Sequence, residues 1–135
     1  MVYEGVTGDY SKSQDWFGTQ LGTTTAESSS ANIATVLKNY TGKNYSRTAV
    51  SGMSLTTMYN NIWFSLSNKC AIVASVSNIP GLGYTTAGHF IVITSSERWV
   101  TTGTIQYGYN DPHYNNAYFG QYWAGQSDMK TAAVT

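Results

Sequence analysis

Cysteine is almost absent from this sequence. Cys70 stands alone, so no internal disulfide can form and the fold must hold by burial and hydrogen bonding. Charge is also scarce, at 10 % of the residues, and is split evenly between seven acidic and seven basic side chains. Average soluble domains carry roughly a quarter. With no basic stripe, nucleic acid is excluded as a partner. There is no charged tail, no apolar run near the ~20 residues that span a bilayer, and no secretory signal pattern.

Serine, threonine, asparagine, glycine and tyrosine do the polar work instead. A surface of uncharged hydroxyls and amides, rich in tyrosine, suggests an exported bacterial protein, secreted or held at the cell surface. The length of 135 residues fits one domain over 1–135, large enough for one core.

Periodicity divides the chain into helices first and strands second. Met1 to Gly5 reads as the last turn or two of a helix, stopped by Gly5 and Gly8. Ser11 and Gln14 stand at capping-box spacing before a second helix, with Trp16, Phe17 and Leu21 on its apolar face and Gly22 at its end. After a Thr/Ser loop, Ile33, Val36, Leu37 and Tyr40 mark a third helix. Tyr45, Thr48 and Val50 are candidates for a short strand. Ser54 caps a fourth helix with a stripe of Leu55, Tyr59, Ile62 and Leu66.

The strands follow. Cys70 to Val76 is short, apolar and β-branched, as a buried strand would be. Pro80, Gly81 and Gly83 form a loop. Phe90 to Thr94 is a second strand, Ser95 to Glu97 a turn, and Trp99-Val100 a short strand of its own. Thr104 to Tyr109 alternates, with Ile105, Tyr107 and Tyr109 on one face. A polar loop covers Asp111 to Asn116, Tyr118 to Trp123 is extended or turn-like, and Ser127 to Ala133 is a closing helix. The expected class is α+β, helices packed on a small antiparallel sheet, because the connections suit hairpins rather than helical crossovers.

Two groups in this frame can carry chemistry. His89 opens the strand of Gly88-His89-Phe90-Ile91-Val92-Ile93-Thr94. Asp111 follows the next strand in Tyr109-Asn110-Asp111-Pro112. Each also has a plain structural reading: His89 as a strand-end histidine bonded to backbone, Asp111 as a turn residue whose side chain bonds nearby amides. His113 reads as an exposed loop residue. His89, Asp111 and His113 match no zinc spacing, so neither a metal nor a cofactor is expected. Cys70 opens an apolar strand, where free cysteine behaves as a small hydrophobe. The aromatics of the C-terminal half, Tyr84, Trp99, Tyr107, Tyr109, Tyr114, Tyr118, Tyr122 and Trp123, read mostly as sheet and core residues with one wet edge.

Several stretches, in order, resemble the C39-like peptidase family of the papain-like cysteine peptidase superfamily. They are Leu21-Gly22-Thr23-Thr24, Val36-Leu37-Lys38-Asn39-Tyr40-Thr41-Gly42, the strand after Lys69, Gly88-His89-Phe90-Ile91-Val92-Ile93, Tyr109-Asn110-Asp111-Pro112 with the aromatics behind it, and a last helix near Met129. The resemblance implies a papain-like fold. It implies that His89 is the general base and later the acid, that Asp111 orients it, and that a peptide or protein is the substrate. It also implies a cysteine at the N-terminus of the first long helix and a glutamine ahead of it. Neither has a counterpart here, so Met1 to Gly5 reads as the second half of that helix and the domain as truncated at its N-terminus.

The chemistry explains the residue types. A thiolate nucleophile needs a base to take its proton and a helix N-terminus to favour the anion. The imidazole in turn needs an acceptor that fixes its tautomer and ring plane. Three functions follow as expectations: a cysteine peptidase domain completed by an upstream cysteine, an inactive papain-like module that binds peptide or cell-wall material, and a plain structural domain in which His89 and Asp111 do not meet. Loss of the first half of the helix would also leave the face of Phe90 and Val92 uncovered and open to self-association.

Overall fold

The computed structural model describes residues 2–23, 29–80, 82, 88–113 and 119–134. The chain forms two compact units, Met1–Ala49 and Val50–Thr135.

The first unit holds α1 (Val2–Thr7), α2 (Gln14–Leu21) and α3 (Ser30–Thr41), with α1 and α2 each in contact with α3. Helix α1 runs through Gly5 and stops at Gly8, whose φ of 72° a side chain would resist. The cap of α2 is Ser13 rather than Ser11: its hydroxyl accepts from the Trp16 amide at 3.1 Å. The Ser11 amide is taken by Asp9 Oδ1 at 2.8 Å, which makes residues 9–11 a turn and leaves the next serine to start the helix. Ser29 caps α3 through the Asn32 amide, and Gly22 and Gly42 close α2 and α3 in the left-handed region. An edge-to-face run of rings, Tyr3 to Phe17 to Trp16 to Tyr40, joins the three helices at centroid distances of 4.9 to 5.2 Å.

The second unit is α4 (Leu55–Ser67), β1 (Ile72–Val76), β2 (His89–Arg98), β3 (Ile105–Asp111), β4 (Gly120–Gly125) and α5 (Gln126–Val134). The strands form one antiparallel sheet in the order β1-β2-β3-β4. The described residues are therefore α+β, five helices and a four-stranded antiparallel sheet. Ser54 caps α4 as its position predicts, accepting from the Thr57 amide at 3.0 Å. One sheet face, with Ile91, Ile93, Tyr107, Tyr109 and Ala124, packs with Met58 and Ile62 of α4 and Met129 and Ala132 of α5 into the core. Alternation along β3 places Ile105, Tyr107 and Tyr109 on that face together.

Three local expectations give way. Tyr45, Thr48 and Val50 lie in irregular chain, not in a strand. Ser95 to Glu97 does not turn the chain: β2 continues through it to Arg98, past a bulge between Ile93 and Ser95. The bulge is accommodated opposite Gly108, where a Cβ would overlap Ser95 Oγ. Trp99-Val100 consequently falls in the β2–β3 turn, closed by the Trp99 amide on Thr104 O at 2.9 Å and the Gly103 amide on Trp99 O at 2.7 Å. Val100 is 97 % exposed there.

The face of Phe90 and Val92 is not bare as expected. Val92 is buried, flanked across the strands by Val73 and Asn110, and Phe90 is half-buried. Positions 24–28, 81, 83–87 and 114–118, with Tyr84, Tyr114 and Tyr118, lie outside the described residues. No helix among the described residues is long and apolar enough to cross a membrane.

Candidate functional site

The site begins with the register of β2 on β3. Val92 pairs with Asn110 and Ile93 with Tyr109, so His89 and Asp111 project from the same face, on a diagonal within reach of long side chains. Gly88, at φ 70°, turns the chain into β2 immediately before His89, and its amide approaches Ser77 Oγ at 3.4 Å. Pro112 follows Asp111 and, lacking an N–H, cannot extend the ladder. Both residues therefore stand at strand ends, at one end of the sheet.

His89 Nε2 lies 2.6 Å from Asp111 Oδ1. The Asp111 side chain is fully buried, while His89 keeps 22 % of its side-chain surface exposed. An ionised carboxylate only accepts hydrogen bonds. Nε2 then donates, and in that neutral tautomer Nδ1 carries the lone pair that can take a proton. The same Oδ1 accepts the His113 amide at 3.0 Å, an i to i+2 bond that closes the turn. The two readings of Asp111, turn former and orienting carboxylate, thus hold in one side chain.

Two tyrosines of β3 share the face of the carboxylate. Tyr109, two residues earlier on the same face, is 1 % exposed and stacks on Tyr122 with ring centroids 5.7 Å apart. Burial, with the charge of Asp111 next, pushes the Tyr109 hydroxyl up to about 12. Tyr107 is likewise pushed up to about 12, by burial first and then by Tyr59. Neither hydroxyl has a hydrogen-bond partner among the described residues. Trp99 and Trp123, by contrast, are half exposed, each at 51 %.

The structure brings His89 and Asp111 together and keeps Cys70 away from them. Cys70 precedes β1, whose far end, Val76, pairs with His89. Six residues of extended chain separate Cys70 from Val76, about 20 Å at ~3.3 Å per residue. It is not a buried strand residue but a partly exposed one just behind the C-terminus of α4, with Sγ 3.4 Å from Asn68 O. That helix end presents carbonyl oxygens, the wrong polarity for a thiolate. His113 is half-buried rather than exposed, its ring centroid 6.2 Å from that of His89. Among the described residues, no group of three or more His, Cys, Asp or Glu side chains could hold a metal ion.

Sequence reasoning missed two things: that the carboxylate lies on the core face, and that the Tyr107 and Tyr109 hydroxyls are buried rather than wet. A signal for the first was present: the alternation Ile105, Tyr107, Tyr109 continues to Asp111 and so carries the carboxylate onto the core face. No family model, curated protein or solved structure matches this chain.

Proposed function

We propose that this chain is a papain-like cysteine peptidase domain of C39-like type, in which His89 is the general base and acid and Asp111 orients it. The observation that carries the reading is the 2.6 Å contact between a partly exposed imidazole and a fully buried carboxylate. Asp111 holds Nε2–H and leaves Nδ1 to accept the proton of a cysteine thiol supplied from outside residues 1–135. The sulfur then bonds to the scissile carbonyl carbon, and the C–N bond breaks. The amine leaves with the proton that Nδ1 returns. Water, deprotonated by the same nitrogen, hydrolyses the thioester and frees the thiol.

The substrate is a peptide or protein, and the low charge of the chain fits an exported enzyme. The test is peptide hydrolysis by a chain carrying the nucleophile segment, with and without a thiol-alkylating reagent. Hydrolysis that is blocked by alkylation and lost in His89→Ala supports the proposal. Hydrolysis indifferent to both removes it.

One observation favours a second reading. The only cysteine of the sequence stands about 20 Å along the strand direction from the His89 end. In that reading the module is catalytically inactive and binds peptide or cell-wall material at the same end of the sheet. Saturable binding of peptide or cell-wall fragments without turnover, in the chain that carries the upstream segment, distinguishes it.

A further inference from the structure

The sheet has two edges, β1 and β4. Natural edge strands are usually blocked by charge, proline or a bulge, because an open edge pairs with another chain. Ile72–Val76 has none of these. Among the described residues, β2 is its only strand partner, and no loop or turn backbone hydrogen bond reaches these five residues.

The two ends of β1 carry opposite charge. Lys69 stands just ahead of it, exposed, at a φ of 59° where the chain leaves α4. Just behind it, Ser77, Asn78 and Pro80 join Asp128, Thr131 and Ala132 of α5 around a cavity of about 280 Å³. The Ser77 amide donates to Ala132 O at 3.0 Å and ties the loop to the helix. Among the described residues, neither the Lys69 ammonium nor the Asp128 carboxylate makes a side-chain hydrogen bond or ion pair.

We propose that two copies of this chain pair edge to edge through β1, antiparallel about a two-fold axis, with Lys69 of each copy seated in the Asp128 cavity of the other. Antiparallel pairing brings the start of one β1 to the end of its copy, so Lys69 meets the cavity at both ends of the ladder. Parallel pairing would set Lys69 beside Lys69. A two-fold axis normal to the sheet keeps both helical layers on one side, which requires opposed residues to share a face. Centred on the middle of the strand, that rule opposes Ala74 to its own copy, Val73 to Ser75, and Ile72 to Val76. Such an interface is isologous, so each contact occurs twice. Edge β4 is also uncharged, but it begins and ends on glycine, Gly120 and Gly125, and offers no charge to complement. The pairing uses neither His89 nor Asp111 and stands apart from the catalytic reading.

Sedimentation equilibrium of the full chain over a concentration series tests it, with circular dichroism as the check on folding. The expected result is a reversible dimer. Lys69→Glu and Asp128→Lys should each raise its dissociation constant roughly tenfold, because two exposed ion pairs are lost per dimer and replaced by like charges. The double variant, with the charges exchanged, should dimerise as the wild type does. A chain monomeric at every concentration overturns the proposal. So does a dimer that neither single substitution weakens, or an exchanged variant no tighter than the single ones.

Discussion

His89 and Asp111 meet on a diagonal across two neighbouring strands, 22 residues apart in sequence and 2.6 Å apart in space. Because the carboxylate is fully buried, the contact is shielded from the screening that weakens exposed pairs.

Removal of the acceptor should therefore be felt in stability as well as in the imidazole. In Asp111→Ala, both His89 Nε2 and the His113 amide lose their partner. The expected loss is about 1.5–3 kcal/mol, read as a lower midpoint in urea unfolding. Nitrogen NMR of the imidazole should also show the Nε2–H tautomer of His89 giving way to a mixture. An unchanged tautomer would mean that Asp111 does not orient the ring.

Gly108 admits the bulge of β2. Its missing Cβ is the space that Ser95 Oγ occupies, with Trp123 ring atoms 3.3 Å away. Gly108→Ala should destabilise the protein by about 1–3 kcal/mol. The same substitution in a Ser95→Ala background should cost clearly less, and a double-mutant cycle measures the difference.

Tyr107 and Tyr109 predict behaviour in alkali. Both hydroxyls are raised to about 12 by burial, above the ~10 of an unfolded tyrosine. Between these values the unfolded chain has released protons that the folded chain retains, so folding stability falls as pH rises. The contribution is complete below pH ~10 and lost by about pH 12. Tyrosinate absorbance should show a late, steep rise that coincides with loss of circular dichroism.

Asp9 predicts the acid limb. Its carboxyl is lowered to about 2, first by the bond from Ser11 and then by the Tyr3 hydroxyl, which donates to Oδ2 at 2.6 Å. A depressed carboxyl stabilises the fold above its unfolded value near ~3.9 and loses that effect as pH falls toward the folded value. Tyr3→Phe removes one donor, so carbon NMR should show the Asp9 midpoint move upward.

Cys70 should be a spectator. Its place behind a helix C-terminus predicts that Cys70→Ala leaves any hydrolytic activity of residues 1–135 unchanged. Activity abolished by that substitution, with circular dichroism intact, would overturn the assignment.

The amino-acid sequence determined what depends on near neighbours. The cap at Ser54, the stops at Gly22 and Gly42, and the alternation of Ile105, Tyr107 and Tyr109 follow from bonds and side-chain directions within a few residues. So does the choice of His89 and Asp111, since a strand start and a turn are local features. Tertiary structure decided the rest. The length of β2 turned on whether the chain could bulge at Thr94 against Gly108, a partner across the sheet that no window around Ser95 to Glu97 contains. The distance from Nε2 to Oδ1 turned on the β2–β3 register, in which a slip of one residue would send the two side chains to opposite faces. The burial of Tyr109, on the face that carries Asp111, turned on α4 and α5 packing over it. Burial is a sum over the whole second unit, and a linear pattern records only which residues are available to it.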